Sequence, residues 1–155
     1  MKVLYFSVVV LLFTSCVNIK EVFSKDYLYE SILENTQKAE LVESLEIKTL
    51  VTATYLNPIK LDVDKSYENF LVSMFIANDF KKQYALKNPF VKISLNEDSS
   101  KSIKELKKDS KLLKTISVLN PWAKYFLVTF KAQKSKDLNL SFTYKNLSSL
   151  LKFSK

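Results

Sequence analysis

The stretch "LEIKTLVTATY", residues 45–55, decides how this chain is read. Leu45, Ile47, Thr49, Val51, Ala53 and Tyr55 share one parity, and Glu46, Lys48, Leu50, Thr52 and Thr54 the other. A period of two places alternate side chains on opposite faces, so the segment predicts a half-buried strand, stopped by Asn57 and Pro58. A helical period would scatter the same residues around a cylinder.

The same pattern recurs downstream. "FLVSMFIA", residues 70–77, is apolar on both faces and short, which predicts a strand covered from both sides. "FVKISL", residues 90–95, turns Val91, Ile93 and Leu95 inward and runs into the turn-forming "NEDSS". "WAKYFLVTFKA" alternates from Trp122 to Phe130, with Trp122 expected as the large core residue that opens its strand. "LNLSFTY" sets Leu138, Leu140, Phe142 and Tyr144 on one side, and a last strand runs through "LLKFSK". Upstream, "SKDYLYESILEN" spaces Tyr27 or Leu28, Ser31, Ile32 and Asn35 for a short helix capped by Ser24 or Asp26 and ending near Asn35. The expected fold is mainly β: an antiparallel β-sandwich of about six or seven strands with a short N-terminal helix.

The chain has no glycine, so tight hairpins lack their usual residue. Asn78, Asn88, Asn96, Asn120 and Asn146 lie near the expected strand ends and tolerate positive φ next best, which suggests connections longer than two residues. One segment breaks the β pattern. In "SIKELKKDSKLLK" Ser102 and Glu105 have capping-box spacing, and Lys101, Lys104, Lys108 and Lys111 would line one face of a short basic helix able to meet an anionic surface.

Composition removes several chemistries. Without glycine the phosphate-cradling loops and the nucleophile elbow lose their usual residues, and without histidine the commonest general base and metal ligand are missing. All 24 basic residues are lysines, which attract diffusely rather than as a bidentate fork. Residues 17–80 carry 6 lysines and 11 acids, whereas residues 81–155 carry 17 lysines and 5 acids. The basic half suits anionic lipid better than nucleic acid in an exported protein, and nucleic acid is not an expected partner. No cofactor is expected, and an enzyme would be restricted to Asp/Glu or Ser/Lys chemistry.

The N-terminus points to export. Lys2 precedes the apolar run "VLYFSVVVLLF", residues 3–13, followed by Thr14, Ser15 and Cys16, the only cysteine. A positive start, a short apolar core and a small-residue exit describe a secretory signal, and the run is shorter than the roughly 20 residues a spanning helix needs. The exit resembles the lipobox of bacterial lipoproteins, with Phe13 where that family usually has leucine. The resemblance implies a signal peptide at 1–15, acylation of Cys16, a lipidated tether at 16–25 and a single domain at 26–155. Two or more acyl chains hold a protein firmly at a membrane, where one holds it marginally. Val17 follows Cys16 where inner-membrane retention in enteric bacteria uses aspartate, so the resemblance favours the outer membrane.

Three further constellations merit placement in the fold. Asp62, Asp64, Asp79, Glu97 and Asp98 fall in expected loops and would offer hard oxygen ligands to calcium if those loops converged. "NPFVKISL" resembles the strand motif of the calcium-dependent phospholipid-binding sandwich domains, with Asn88 at the position of that family's ligand aspartate. Ser149 and Lys152 have the S-x-x-K spacing that sets a serine beside a lysine on a helix in penicillin-binding enzymes. The expected function is a non-catalytic, lipid-anchored envelope module that binds or stabilises another envelope component. The alternative is a surface module binding anionic lipid or calcium through its lysine-rich half and acidic loops.

Overall fold

The computed structural model describes residues 19–43, 46–76, 91–116 and 119–155. Helix α1 (Ile19–Glu34) leads into strands β1 (Thr36–Glu43), β2 (Glu46–Tyr55), β3 (Tyr67–Ile76), β4 (Val91–Leu95), β5 (Asp98–Ser99) and β6 (Ser102–Leu106). A short helix α2 (Lys111–Thr115) precedes β7 (Lys124–Lys131), β8 (Asp137–Tyr144) and β9 (Leu147–Ser154). The strands form a five-stranded sheet in the order β1-β2-β3-β7-β6 and a four-stranded sheet in the order β5-β4-β8-β9. Every pairing is antiparallel, so the expected mainly β sandwich is the observed architecture.

Alternation builds the space between the sheets. Val51, Ala53 and Tyr55 of β2, Phe70, Val72 and Met74 of β3, and Phe126, Val128 and Phe130 of β7 face Ile93 and Leu95 of β4, Leu138, Leu140 and Phe142 of β8, and Leu151 and Phe153 of β9. Phe70 anchors this core, its ring edge-on to Phe130 at 5.9 Å and to Phe153 at 5.3 Å. Such pairings add about 0.5–1.5 kcal/mol each to the area they bury. Thr49 shares the inward parity of β2 and is fully buried, its hydroxyl lacking a hydrogen-bond partner among the described residues.

A second apolar layer lies on the outer face of the five-stranded sheet. Ile32 of α1, Leu56 and Ile59 of the β2–β3 connection, Leu113 and Ile116 around α2, and Leu71, Ala123 and Tyr125 are buried together there, with Leu28, Leu61, Val63, Leu106, Leu112 and Leu127 packed against them. β3 is therefore largely apolar on both faces because its inner face is covered throughout and its outer face in part. Among the described residues the outer face of the four-stranded sheet has no such layer. Lys92, Leu150 and Lys152 are exposed there, and Ser94, Asn139, Ser141 and Thr143 are half-buried.

Several local expectations are corrected. Helix α1 already runs from Ile19 among the described residues, so Ser24 and Asp26 are interior residues rather than caps. β1 was not expected; it is an edge strand with two buried apolar residues, Ala39 and Leu41, too few to stand out from its charges. The capping box at Ser102 and Glu105 does not start a helix, because residues 102–106 pair with β7 and complete its ladder. The helix in this segment is confined to Lys111–Thr115 and is capped by Ser110, whose hydroxyl accepts from the Leu113 N–H.

Hairpins without glycine are also tighter than expected. Leu95 pairs with Asp98 across a two-residue turn in which Asn96 and Glu97 both take positive φ, 47° and 74°. That sign pattern is the type I′ turn, which matches the right-handed twist of its strands. Tyr144 pairs with Leu147 across Lys145, at φ 55°, and Asn146. Asn96 gains a compensating fit: its Nδ2 donates to the Asp137 carbonyl, and its Oδ1 accepts from the Asn139 N–H at 2.9 Å.

Candidate functional site

The outer faces of β2 and β3 are covered only in part, and the uncovered part is a cavity. Its floor is formed by register partners: Leu50 beside Phe75, Thr52 beside Ser73, and Thr54 beside Leu71. Tyr29, Ile32 and Leu33 form one wall, since spacings of three and four residues stack side chains on one helical face. Ile116, Asn120, Ala123 and Tyr125 form the other.

The walls are held by hydrogen bonds at both ends. The Thr36 hydroxyl donates to the Ile32 carbonyl at 2.6 Å and shares a 2.8 Å hydrogen bond with the Thr54 hydroxyl. Asn35 Nδ2 donates to the Ser31 carbonyl at 2.9 Å, so side chains cap the last turn of α1 in place of a glycine motif. On the far wall the Tyr125 hydroxyl accepts from the Asn120 N–H at 2.6 Å and donates to the Asn120 carbonyl at 3.2 Å. Burial pushes the Tyr125 phenol above its ordinary pKa, with the Asn120 backbone partly opposing it, so it remains a neutral hydrogen-bonding group.

The cavity has a volume of about 210 Å³ and no charged side chain among its described lining residues. An engineered void of about 150 Å³ admits benzene, whereas drug-sized ligands need about 300–1,000 Å³. The space therefore fits one ring or a short run of methylenes, with the Thr52 and Ser73 hydroxyls as polar points on its floor.

Apolar residues are also exposed around its mouth. Tyr29, Leu33 and Phe75 are 41%, 51% and 36% exposed while lining it, and Leu119 and Trp122 flank the lining residues Asn120 and Ala123. Trp122, expected in the core, is 79% exposed, which corrects that reading. Alternation cannot be extrapolated back to it, because Trp122 N–H donates to Asn120 Oδ1 in a tight turn around Pro121, and β7 begins only at Lys124.

A buried polar cluster closes one end of the sandwich. Glu68 is 2% exposed and its carboxylate is fully engaged. Oε2 accepts from the Tyr55 hydroxyl at 2.7 Å and from Asn57 Nδ2 at 3.3 Å, while Oε1 accepts from the Gln133 N–H at 2.9 Å and pairs with Lys155 Nζ. Burial pushes the Glu68 carboxyl up, but the hydrogen bonds from Lys155, Tyr55 and the Gln133 backbone outweigh it and hold the group below its ordinary value. Burial, reinforced by Glu68, raises the Tyr55 phenol. With its oxygens already occupied, Glu68 ties strands together rather than facing a substrate.

The residues singled out from the sequence fall as follows. Cys16 and Asp79 lie outside the described residues, as does Asn88. Asp62 and Asp64 are exposed in the β2–β3 connection, and Asp64 is held below its ordinary pKa by the Ser66 hydroxyl and N–H. Glu97 is in the β4–β5 turn, and Asp98 opens β5 and accepts from Gln133 Nε2 at 2.9 Å. Among the described residues no three acidic side chains gather as a metal site. Lys101 precedes β6, Lys104 is on it, Lys108 is in the turn beyond it and donates to the Pro121 carbonyl, and Lys111 opens α2, so the four do not share a helical face. Ser149 and Lys152 are three residues apart on β9, which in a strand sets them on opposite faces. Among the described residues no helix is long and apolar enough to cross a membrane.

Sequence reasoning missed the cavity. Its one available signal was that "FLVSMFIA" is apolar on the outer as well as the inner face, which requires a second layer somewhere. The chain matches no protein-family model, no curated protein and no solved structure.

Proposed function

We propose that this chain is a non-catalytic cell-envelope lipoprotein, acylated at Cys16 after removal of residues 1–15. Its sandwich is a binding module that engages another envelope component through the face carrying α1 and the cavity. The uncharged cavity, ringed by exposed aromatic and aliphatic side chains, carries this reading. Contiguous exposed apolar surface beside a preformed pocket marks a binding site in a protein that must otherwise stay dispersed in water.

Two measurements test the reading. A photo-crosslinking residue at Leu33 should give a stoichiometric adduct in native envelopes, and the same probe at Leu150, exposed on the other sheet, should not. Equal labelling from both positions removes the assigned face. Mass spectrometry of the native protein should find acyl chains on Cys16; an intact leader or a bare thiol removes the anchor.

A further inference from the structure

We infer that the component met by the α1 face is the lipid–water interface of the membrane itself, with the cavity mouth opening toward the acyl chains. The inference rests on the proposed anchoring at Cys16.

Geometry brings the face to the membrane. Cys16 is three residues before Ile19, a reach of at most about 11 Å even when fully extended. From Ile19 the chain is helical, and Tyr29, at the cavity mouth, is about 15 Å further along at 1.5 Å per residue. Two residues of sequence separate the proposed attachment from a helix whose Tyr29, Ile32 and Leu33 line the cavity.

The chemistry of the face matches an interface. Of the eight large hydrophobic residues exposed among the described ones, Tyr29, Leu33 and Phe75 line the cavity, Tyr27 is on the same helix, and Leu119 and Trp122 belong to the α2–β7 connection that supplies the other wall. Tryptophan and tyrosine collect at the headgroup level, where one end of the ring is apolar and the other is wet. Lysines border the aromatics: Lys60 Nζ is 5.5 Å from the Tyr27 ring centre, Lys108 reaches the Pro121 carbonyl beside Trp122, and Lys111 and Lys114 are exposed on α2. Long lysine stems can lie along an apolar surface while their heads stay among headgroups. Glu30, Glu34, Asp62 and Asp109 are exposed on the same layer and offset these charges. Apolar burial therefore dominates over attraction to anionic lipid, and salt should have little effect.

Trp122 is the only tryptophan in the chain, so its emission reports this face alone. The native acylated protein is placed in phosphatidylcholine vesicles, with and without phosphatidylglycerol, carrying bromine at graded depths. A face bedded about 5–10 Å into the headgroup–acyl boundary gives blue-shifted emission, quenched most by bromine at that depth and changed little by salt or phosphatidylglycerol. The Tyr29→Ser, Leu33→Ser double variant should lose most of the quenching, with its melting temperature recorded to show that it folds, while Leu150→Ser should match the parent. Water-like, unquenched emission from protein shown by mass spectrometry to be acylated overturns the inference and leaves the anchor standing. A single protein adduct from the Leu33 probe in native envelopes would then identify a protein as the occupant. A bare Cys16 overturns the anchor, and the quenching of added protein still decides whether the face meets lipid.

Discussion

Glu68 stands on the inward parity of β3, where Phe70, Val72 and Met74 continue the core, yet it is a carboxylate. It persists there because four donors satisfy it. Replacing it as Glu68→Gln should cost about 1–3 kcal/mol near neutral pH by leaving Lys155 without its counter-charge. The folded-state pKa lies below the ordinary 4.5, so the stabilisation is complete above that value and is lost as pH falls through the folded pKa. Melting curves of parent and variant should therefore converge at acid pH and differ most above it. At Glu97, φ of 74° strains a residue with a Cβ, and Glu97→Gly would create the Asn-Gly pair that type I′ turns favour. A gain of about 0.5–1 kcal/mol is expected, a rise of about 2–4 °C in melting temperature at most. For Thr49, whose buried hydroxyl has no partner among the described residues, Thr49→Val should be neutral or stabilise by up to about 1 kcal/mol in urea unfolding. A clear loss would show that the hydroxyl is satisfied by residues outside the described ones.

At the scale of elements, α1 matters because Ile32 carries the helix into the outer layer and forms part of the cavity wall. Ile32→Ala should cost about 2–4 kcal/mol in chemical denaturation, and it should enlarge the cavity rather than disturb the core between the sheets. The elements differed in how readily they could be read. β2, β3, β4, β7 and β8 announce themselves because each places at least three buried residues on one face, and β9 does so because Leu147 extends the side carrying the buried Leu151 and Phe153. The edge strands β1 and β6 do not, since an edge needs few apolar contacts and carries charge on its open side. In β6 the local helix signal at Ser102 and Glu105 lost to the hydrogen-bonding groups along β7, because pairing there satisfies the backbone groups that β7 turns toward this edge.

For the whole molecule, two sheets and an outer layer share the five-stranded sheet as a common wall. Phe70 touches Tyr55 and Phe130 within its sheet and Phe153 across the sandwich. Phe70→Ala should therefore cost about 3–5 kcal/mol, with fluorescence and circular dichroism still following one cooperative transition. Separate transitions for the two probes would show that the sheets unfold independently.

The period-two pattern by itself determined the sandwich, because burial of one strand face is a local property of side-chain parity. It also picked out most of the residues between the sheets, though not Ala39 and Leu41 of β1. The cavity, the exposure of Trp122 and the Glu68 cluster were decided only in three dimensions. Trp122 is exposed because a local turn at Asn120 and Pro121 precedes β7. The cavity and the Glu68 cluster join segments far apart in the chain, and the contacts that form them depend on which strands become neighbours, a choice that alternation within one strand does not encode.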